Sequence, residues 1–155
     1  MESNKPLGYM LGRSLRVFRN ELAFEFKENK IELSFDQFVI LHILNSDGDF
    51  IQQDLAKQLQ KDKSIIVRQI NSLLENQYVV RLINKDDKRI KNLILTKKGF
   101  EILNQMKGIA SELSGRLLTG ISDDELEIFR KVLGKIQENG GAEEDLFNCG
   151  LNQLK

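Results

Sequence analysis

The most restrictive feature of this sequence is an amphipathic segment that is followed at once by two short β-prone segments. Behind an N-cap at Asp62, helical spacing of apolar residues predicts a helix from Lys63 to about Asn76, with one buried face formed by Ile66, Ile70, Leu73 and Leu74. Residues 79–84 and 92–96 then carry β-branched residues and leucine, and they flank the charged stretch 85–91. This order predicts a helix that leads directly into a β-hairpin with a charged tip.

Five further helices are predicted around this unit. The first runs from about Leu7 to Glu28, and the capping box Ser34-Phe-Asp-Gln37 opens the second. A short helix follows at 52–59, Thr96 caps a long helix, and a second capping box, Ser122-Asp-Asp-Glu125, opens the last. The predicted fold class is therefore mainly α with a small β-hairpin wing, which is a winged helix-turn-helix with additional helices at both termini.

The charge is distributed unevenly along the 155 residues. The formal net charge is zero, yet residues 57–98 hold 11 Lys and Arg against 4 Asp and Glu, a net charge of +7. The segments before and after this centre carry −3 and −4. Because a polyanion responds to the local field of a protein rather than to its total charge, the basic centre suits a nucleic acid.

Composition and motifs exclude several classes of protein. A single cysteine, Cys149, cannot form an internal disulfide, which favours the cytoplasm, and together with a single histidine it excludes the common zinc sites. Neither a membrane span nor a signal peptide is indicated. The sequence has no HExxH, no CxxC and no phosphate-binding glycine loop, so we expect neither an enzyme nor a cofactor or metal.

The outer face of the central helix and the tip of the hairpin carry the candidate DNA-binding residues. Arg68 suits guanine, Asn71 suits adenine, and Ile65 can contact a thymine methyl group. At the hairpin tip, Arg89 suits the narrow minor groove, and an adjacent aspartate can orient it. The predicted set is Lys63, Ser64, Ile65, Arg68, Asn71, Ser72, Lys85, Asp87, Lys88, Arg89 and Lys91.

Two other interpretations of these residues remain open. Any helix on the surface of a globular protein is polar outside, and a winged helix can also serve as a protein-interaction module without DNA specificity. Lys85, Lys88, Arg89 and Lys91 lie within seven residues, which is a higher concentration of charge than a solvated loop requires. An interaction module would also have no reason to keep a net charge of +7 over residues 57–98.

The run from Asp62 to Gly99 resembles the centre of the MarR family of bacterial transcription regulators. The matching features are Arg68 on the central helix, Asp87-Lys-Arg89 in the wing, and Leu95-Thr-Lys-Lys-Gly99 at the start of the following helix. The order of helices extends the resemblance over residues 7–139. It implies a homodimeric, sequence-specific repressor on a palindromic operator in double-stranded DNA, with Arg89 in the minor groove and Asp87 steadying it.

The sequence departs from the family pattern at three positions. Ile51 stands where a Thr or Ser cap is common, Val67 replaces a hydroxyl residue, and Gln77 replaces a glycine after the central helix. These departures leave the expected fold intact, but they mean that the base contacts of relatives need not carry over to this chain.

The terminal helices are expected to dimerise. Their apolar stripes exceed what one small lobe can cover, although an intramolecular hairpin of the last two helices is an alternative. We expect a single MarR-like domain over 1–139, with a winged lobe at about 34–98, dimerisation helices at about 7–28 and 97–139, and an acidic tail at 140–155. The predicted dimerisation residues are Leu11, Leu15, Phe18, Leu113, Leu117, Leu126, Phe129 and Leu133.

The resemblance also implies a small aromatic or anionic effector that binds between the dimer arms and the lobe. Tyr9, Phe38, His42 and Phe50 are candidates to line such a cleft, although each is also explained as an ordinary core or boundary residue. Cys149 has no basic neighbour to lower its pKa, and we interpret it as an incidental thiol.

Overall fold

The computed structural model describes residues 4–46 and 49–142, so Cys149 and the predicted tail beyond 142 lie outside the described residues. The described chain forms helices and one hairpin in the predicted order, and the predicted fold class is confirmed. The elements are α1 Leu7–Glu28, α2 Phe35–Leu44, α3 Gln52–Leu59, α4 Lys63–Glu75, β1 Val79–Ile83, β2 Lys91–Leu95, α5 Lys97–Leu117 and α6 Asp123–Asn139.

The winged lobe forms around one apolar core. Side chains from α2, α3, α4 and α5 meet in it and are fully buried, among them Ile40, Leu55, Ile66 and Leu103. The two strands pair antiparallel from Val79 opposite Leu95 to Ile83 opposite Lys91. A single bridge from Phe50, whose carbonyl accepts the N–H of Leu93 at 2.8 Å, ties the segment before α3 to the hairpin.

Helix starts follow the predicted caps with one exception. The Ser34 and Ser122 capping boxes are both present, and the Thr96 hydroxyl accepts the N–H of Gly99 at 2.9 Å. Asp62 occupies the N-cap of α4, but its carboxylate accepts no capping hydrogen bond, so that part of the prediction is wrong. Because the Asp62 side chain is exposed, water can hydrate the first N–H groups of α4 in its place.

The end of α4 uses the left-handed conformation without a glycine. Gln77 has φ +60°, its N–H bonds the carbonyl of Leu74 at 3.0 Å, and the N–H of Tyr78 bonds the carbonyl of Leu73 at 2.9 Å. These two bonds form a Schellman motif. A glycine is therefore not required here, but glutamine adopts this φ at a cost of about 1–2 kcal/mol.

Replacing Gln77 by glycine is expected to stabilise the protein by about 0.5–1 kcal/mol, because the relief of steric strain exceeds the entropy that glycine adds to the unfolded chain. Urea denaturation at fixed protein concentration measures the change. Glu75→Gly, on the last residue of α4, is the matched control, and it should destabilise by about 1 kcal/mol. A loss of stability in Gln77→Gly would contradict the strain at this position.

The terminal helices are only partly covered by the lobe. The C-terminal part of α1 contributes Leu22 and Phe26 to the core, whereas α6 contains no buried residue. Large apolar side chains on α6 are instead open to solvent, namely Ile128, Phe129, Val132 and Ile136. Because no residue of α6 is buried within the chain, α5 and α6 do not form the packed intramolecular hairpin of the alternative interpretation. Every helix in the described part of the chain is too short or too polar to cross a membrane.

Candidate nucleic-acid interface

Helix α4 separates an apolar face from a polar one. Ile66, Ile70 and Leu73 are at most 1 % exposed and pack into the lobe core. The opposite side presents five of the predicted residues: Ile65 and Ser72 are half-buried, and Ser64, Arg68 and Asn71 are exposed. Lys63, the first residue of α4, is exposed as well, but helical spacing places it nearer the side of Ile66 and Ile70. The polar face thus offers a guanidinium, an amide and hydroxyls, which are the groups that read base edges in a major groove.

The wing holds its arginine in a fixed orientation. Arg89 donates from Nε to Asp87 Oδ1 at 3.1 Å and from Nη2 to Asp87 Oδ2 at 3.0 Å, which is a bidentate pair. The backbone N–H of Arg89 also bonds Asp87 Oδ1 at 3.0 Å. The Arg89 side chain nevertheless remains 91 % exposed, so its guanidinium is oriented and still accessible to a ligand.

These bonds also set the protonation of the pair. The Arg89 side chain, and then its backbone N–H, lower the pKa of Asp87, while Asp87 raises the pKa of Arg89. Both groups therefore stay charged around neutral pH, and the pair persists there. Because the Arg89 side chain is almost fully open to solvent, the pair contributes little to folding and mainly orients the guanidinium.

An asparagine shapes the turn that carries this pair. Asn84 Oδ1 accepts the N–H groups of Asp86 at 2.8 Å and Asp87 at 3.2 Å. Asn84 thereby closes the base of the loop as an Asx turn and places Asp87 opposite Arg89. Asn84 is not among the residues that the sequence predicted, although an asparagine at the start of a charged loop is a known turn signal.

The remaining basic residues surround these two elements. Lys85, Lys88 and Lys91 are all exposed on the hairpin. Arg81 on β1 donates from Nη2 to Gln52 Oε1 at 3.2 Å, which joins the hairpin to the start of α3. The basic centre of the sequence is therefore folded into one lobe.

The start of α5 supports the C-terminal end of α4. The Thr96 hydroxyl shares its single proton between the carbonyl oxygens of Gln77, at 2.8 Å, and Tyr78, at 3.1 Å. Lys98 Nζ donates to the carbonyl of Asn76 at 2.7 Å and lies 4.7 Å from the centre of the Tyr78 ring. A lysine at a helix C-terminus is favourable because the free carbonyls there carry partial negative charge. These contacts connect the position of α4 to that of α5.

The predicted effector residues do not form one common surface. Phe38 and His42 lie together on α2, with ring centres 6.2 Å apart, and Phe38 also packs edge-on against Phe26 at 5.8 Å. Burial and then the positive charge of Lys107 lower the pKa of His42, which favours the neutral ring. Phe50 is buried at its bridge to β2, whereas Tyr9 is exposed on α1.

A cavity of about 300 Å³ lies between α1 and α5. Its lining includes the ion pair between Arg116 Nη2 and Glu25 Oε1, which are 2.6 Å apart. The other lining residues are Ile109, Glu112 and Leu113. None of the four predicted effector residues lines this cavity.

The predicted dimerisation residues divide between core and surface. Leu113 is buried in the core of its own chain, whereas Leu117 packs against that core and is half-buried. Periodicity could not reveal this, because an apolar stripe looks the same whether α1 or a second chain covers it. Leu15, Phe18 and Phe129 are exposed, and the others are half-buried: Leu11, Leu126 and Leu133.

Residues 33–91 of the chain match the family model described as MarR family. The transcriptional regulator PA3341 is similar in structure, with a TM-score of 0.77 and 26 % identity over 89 % of this chain and 100 % of that one. A Listeria monocytogenes regulator assigned to the MarR family, solved in complex with 26mer DNA, has a TM-score of 0.76 and 26 % identity. That match covers 87 % of this chain and 89 % of the Listeria chain.

A third solved structure is similar in fold alone. BpsR of Bordetella bronchiseptica, described with the mechanism by which 6-hydroxynicotinic acid regulates its DNA binding, has a TM-score of 0.76. It is 19 % identical over 89 % of this chain and 97 % of that chain.

Proposed function

Since this chain carries a MarR-family domain and has the fold of MarR-family transcriptional regulators, we propose that it acts as a homodimeric repressor that binds a palindromic operator. The observation that carries the proposal is the wing, where an exposed arginine is held in a fixed direction by a bidentate aspartate. A solvated loop needs no such orientation, whereas insertion of a guanidinium into a narrow minor groove does.

Each lobe would read its half-site with two elements. In this proposal α4 lies in the major groove, where Arg68 and Asn71 face base edges and the exposed lysines of the lobe contact phosphates. Arg89 enters the adjacent minor groove. Two lobes related by a twofold axis would then contact half-sites about 10–10.5 bp apart, which is why we expect a palindrome.

The second copy is proposed to cover α6 and the exposed part of α1. Four apolar side chains of α6 are between 40 % and 61 % exposed, and they lie along one face of the helix. On α1, Leu15 and Phe18 are exposed on the stripe that ends in the buried Leu22. Contiguous exposed apolar surface of this kind is unusual in a monomer and typical of an obligate interface.

Phe129→Glu is expected to weaken dimerisation at least about 100-fold, because it would place an unpaired charge in an apolar interface. The lobe should stay folded, since Phe129 is 49 % exposed within its own chain. Sedimentation velocity over a concentration series measures the dimer constant. Lys131→Glu introduces the same residue on the polar side of α6 and should leave the dimer intact; equal effects of both variants would refute this interface.

An effector that releases DNA is a further part of the proposal. BpsR provides a structural analogy, because its DNA binding is regulated by 6-hydroxynicotinic acid, a small aromatic acid. In this chain an effector that binds between the proposed dimerisation helices and the winged lobe would act by favouring one spacing of the two lobes over another.

DNA binding itself is tested with the intergenic DNA upstream of the chain's own gene, against scrambled DNA, at several salt concentrations. Specific binding would support the regulator. The slope of log affinity against log salt concentration, about −0.9 per phosphate contacted, would give the number of phosphate contacts. If that DNA fails, selection from random DNA supplies the operator. Failure of both would instead favour the interaction module, in which the winged helix binds a protein.

A further inference from the structure

Asp36, in the first turn of α2, joins three separate parts of the chain. Its Oδ1 lies 3.3 Å from Arg19 Nη2 on α1, and its Oδ2 lies 2.7 Å from Lys61 Nζ in the turn between α3 and α4. The Asp36 side chain is only 15 % exposed, and that of Lys61 is 32 % exposed. Partial burial of the carboxylate makes these pairs less screened than pairs on the open surface.

The neighbours of Asp36 fix it from both sides. The guanidinium of Arg19 lies 4.8 Å from the centre of the Phe35 ring, which keeps Arg19 against the start of α2. Next to Asp36, the buried Gln37 places its Nε2 3.5 Å from the carbonyl oxygen of Gln69 on α4. The first turn of α2 is therefore wedged between α1 and the helix proposed to read DNA.

The carboxylate of Asp36 holds the Lys61 side chain against the lobe. Lys61 lies two residues before α4, so its pair with Asp36 holds the turn that leads into that helix. Asp36 therefore links the start of α4 to α1, which carries part of the surface proposed for dimerisation. The opposite end of α4 is already held to α5 by Thr96 and Lys98.

We propose that Asp36 is a positioning residue for operator recognition, because it ties Lys61, and thereby the N-terminal end of α4, to α1 through Arg19. The inference rests on the proposed DNA-binding function. A positioning role and a purely electrostatic role of Asp36 predict opposite changes in DNA affinity. Loss of a negative charge alone should strengthen the binding of a polyanion, whereas loss of positioning should weaken the binding of the operator.

The test compares the affinity of the full chain for an operator selected from random DNA with its affinity for scrambled DNA. In Asp36→Asn, we expect the operator affinity to fall about tenfold while the affinity for scrambled DNA is unchanged or slightly higher. The ratio of the two affinities is the readout. Simple destabilisation lowers both affinities in proportion to the folded fraction and leaves the ratio unchanged.

Lys61→Gln provides an independent second variant, on a more exposed side chain. Positioning predicts that the affinity ratio falls here too, and that the double variant is no worse than either single one. If Lys61 instead contacted a phosphate directly, Lys61→Gln would lower the affinity for both DNAs by the same factor and would reduce the salt slope by about 0.9. That outcome would overturn the inference.

Glu138→Gln is the charge-matched control. It removes one carboxylate that pairs with Lys135 at 2.9 Å on α6, far along the chain from α4. Its affinity ratio should equal that of the wild type, and an equal ratio in Asp36→Asn would refute positioning. Absence of any selected operator for the wild-type protein would refute the proposed function itself, which separates the two failures.

Discussion

Gly99→Ala is expected to destabilise the protein by about 2–4 kcal/mol, a large share of the total stability of an ordinary domain. A Cβ at Gly99 would lie far inside van der Waals contact with the carbonyl oxygen of Tyr78 and 2.8 Å from Leu95 Cδ1. The Tyr78 carbonyl cannot easily move away, because it accepts the N–H of Thr96 at 3.1 Å and the Thr96 hydroxyl at 3.1 Å.

Gly108→Ala on the same helix is the matched control. A Cβ there meets nothing within 4 Å, so the substitution should stabilise α5 by up to about 1 kcal/mol through helix propensity. Urea denaturation of both variants at one protein concentration measures the difference. If both substitutions changed the free energy of unfolding in the same direction, the close approach of α5 to Tyr78 would not be maintained in solution.

Arg89→Ala is expected to reduce operator affinity at least about 30-fold in a dimer that carries the substitution in both wings. Each wing loses a guanidinium that Asp87 holds ready for insertion, and about 1–3 kcal/mol per half-site is the usual cost of such a contact. The melting temperature and the dimer constant should not change. The Arg89 side chain is 91 % exposed, and its hydrogen bonds to Asp87 are local to the wing.

Two variants separate the roles of charge and shape in the wing. Arg89→Lys keeps the charge but loses the bidentate fork, so it should recover only part of the affinity. Lys85→Ala removes a charge from the same loop and should weaken operator and scrambled DNA by similar factors. Unchanged operator affinity in Arg89→Ala would exclude the wing from recognition.

Local features of the sequence predicted most of the fold. The bounds of α1 and α3 follow directly from apolar spacing. The caps at Ser34, Thr96 and Ser122 could be predicted because each capping bond joins residues only three apart. The pairing of Arg89 with Asp87 is equally local, at a separation of two residues. Such contacts are readable because the backbone conformation alone brings the two groups together.

Long-range packing could not be predicted in the same way. Leu113 and Phe129 occupy similar apolar stripes, yet the first is buried by its own chain and the second is exposed. Asp36 meets Arg19 and Lys61 across separations of 17 and 25 residues, which no sequence pattern joins. The requirement for glycine at 99 likewise depends on where Tyr78 lies.

The sequence by itself thus determined the elements, their order, the polar face of α4 and the charged wing, because hydrophobic periodicity, capping and turn chemistry act within a few residues. Only the tertiary structure decided which apolar stripe is covered within the chain and which stays exposed. It also decided how the two ends of α4 are held to α1 and α5, because burial and ion pairing depend on the distances that packing sets between elements far apart in the chain.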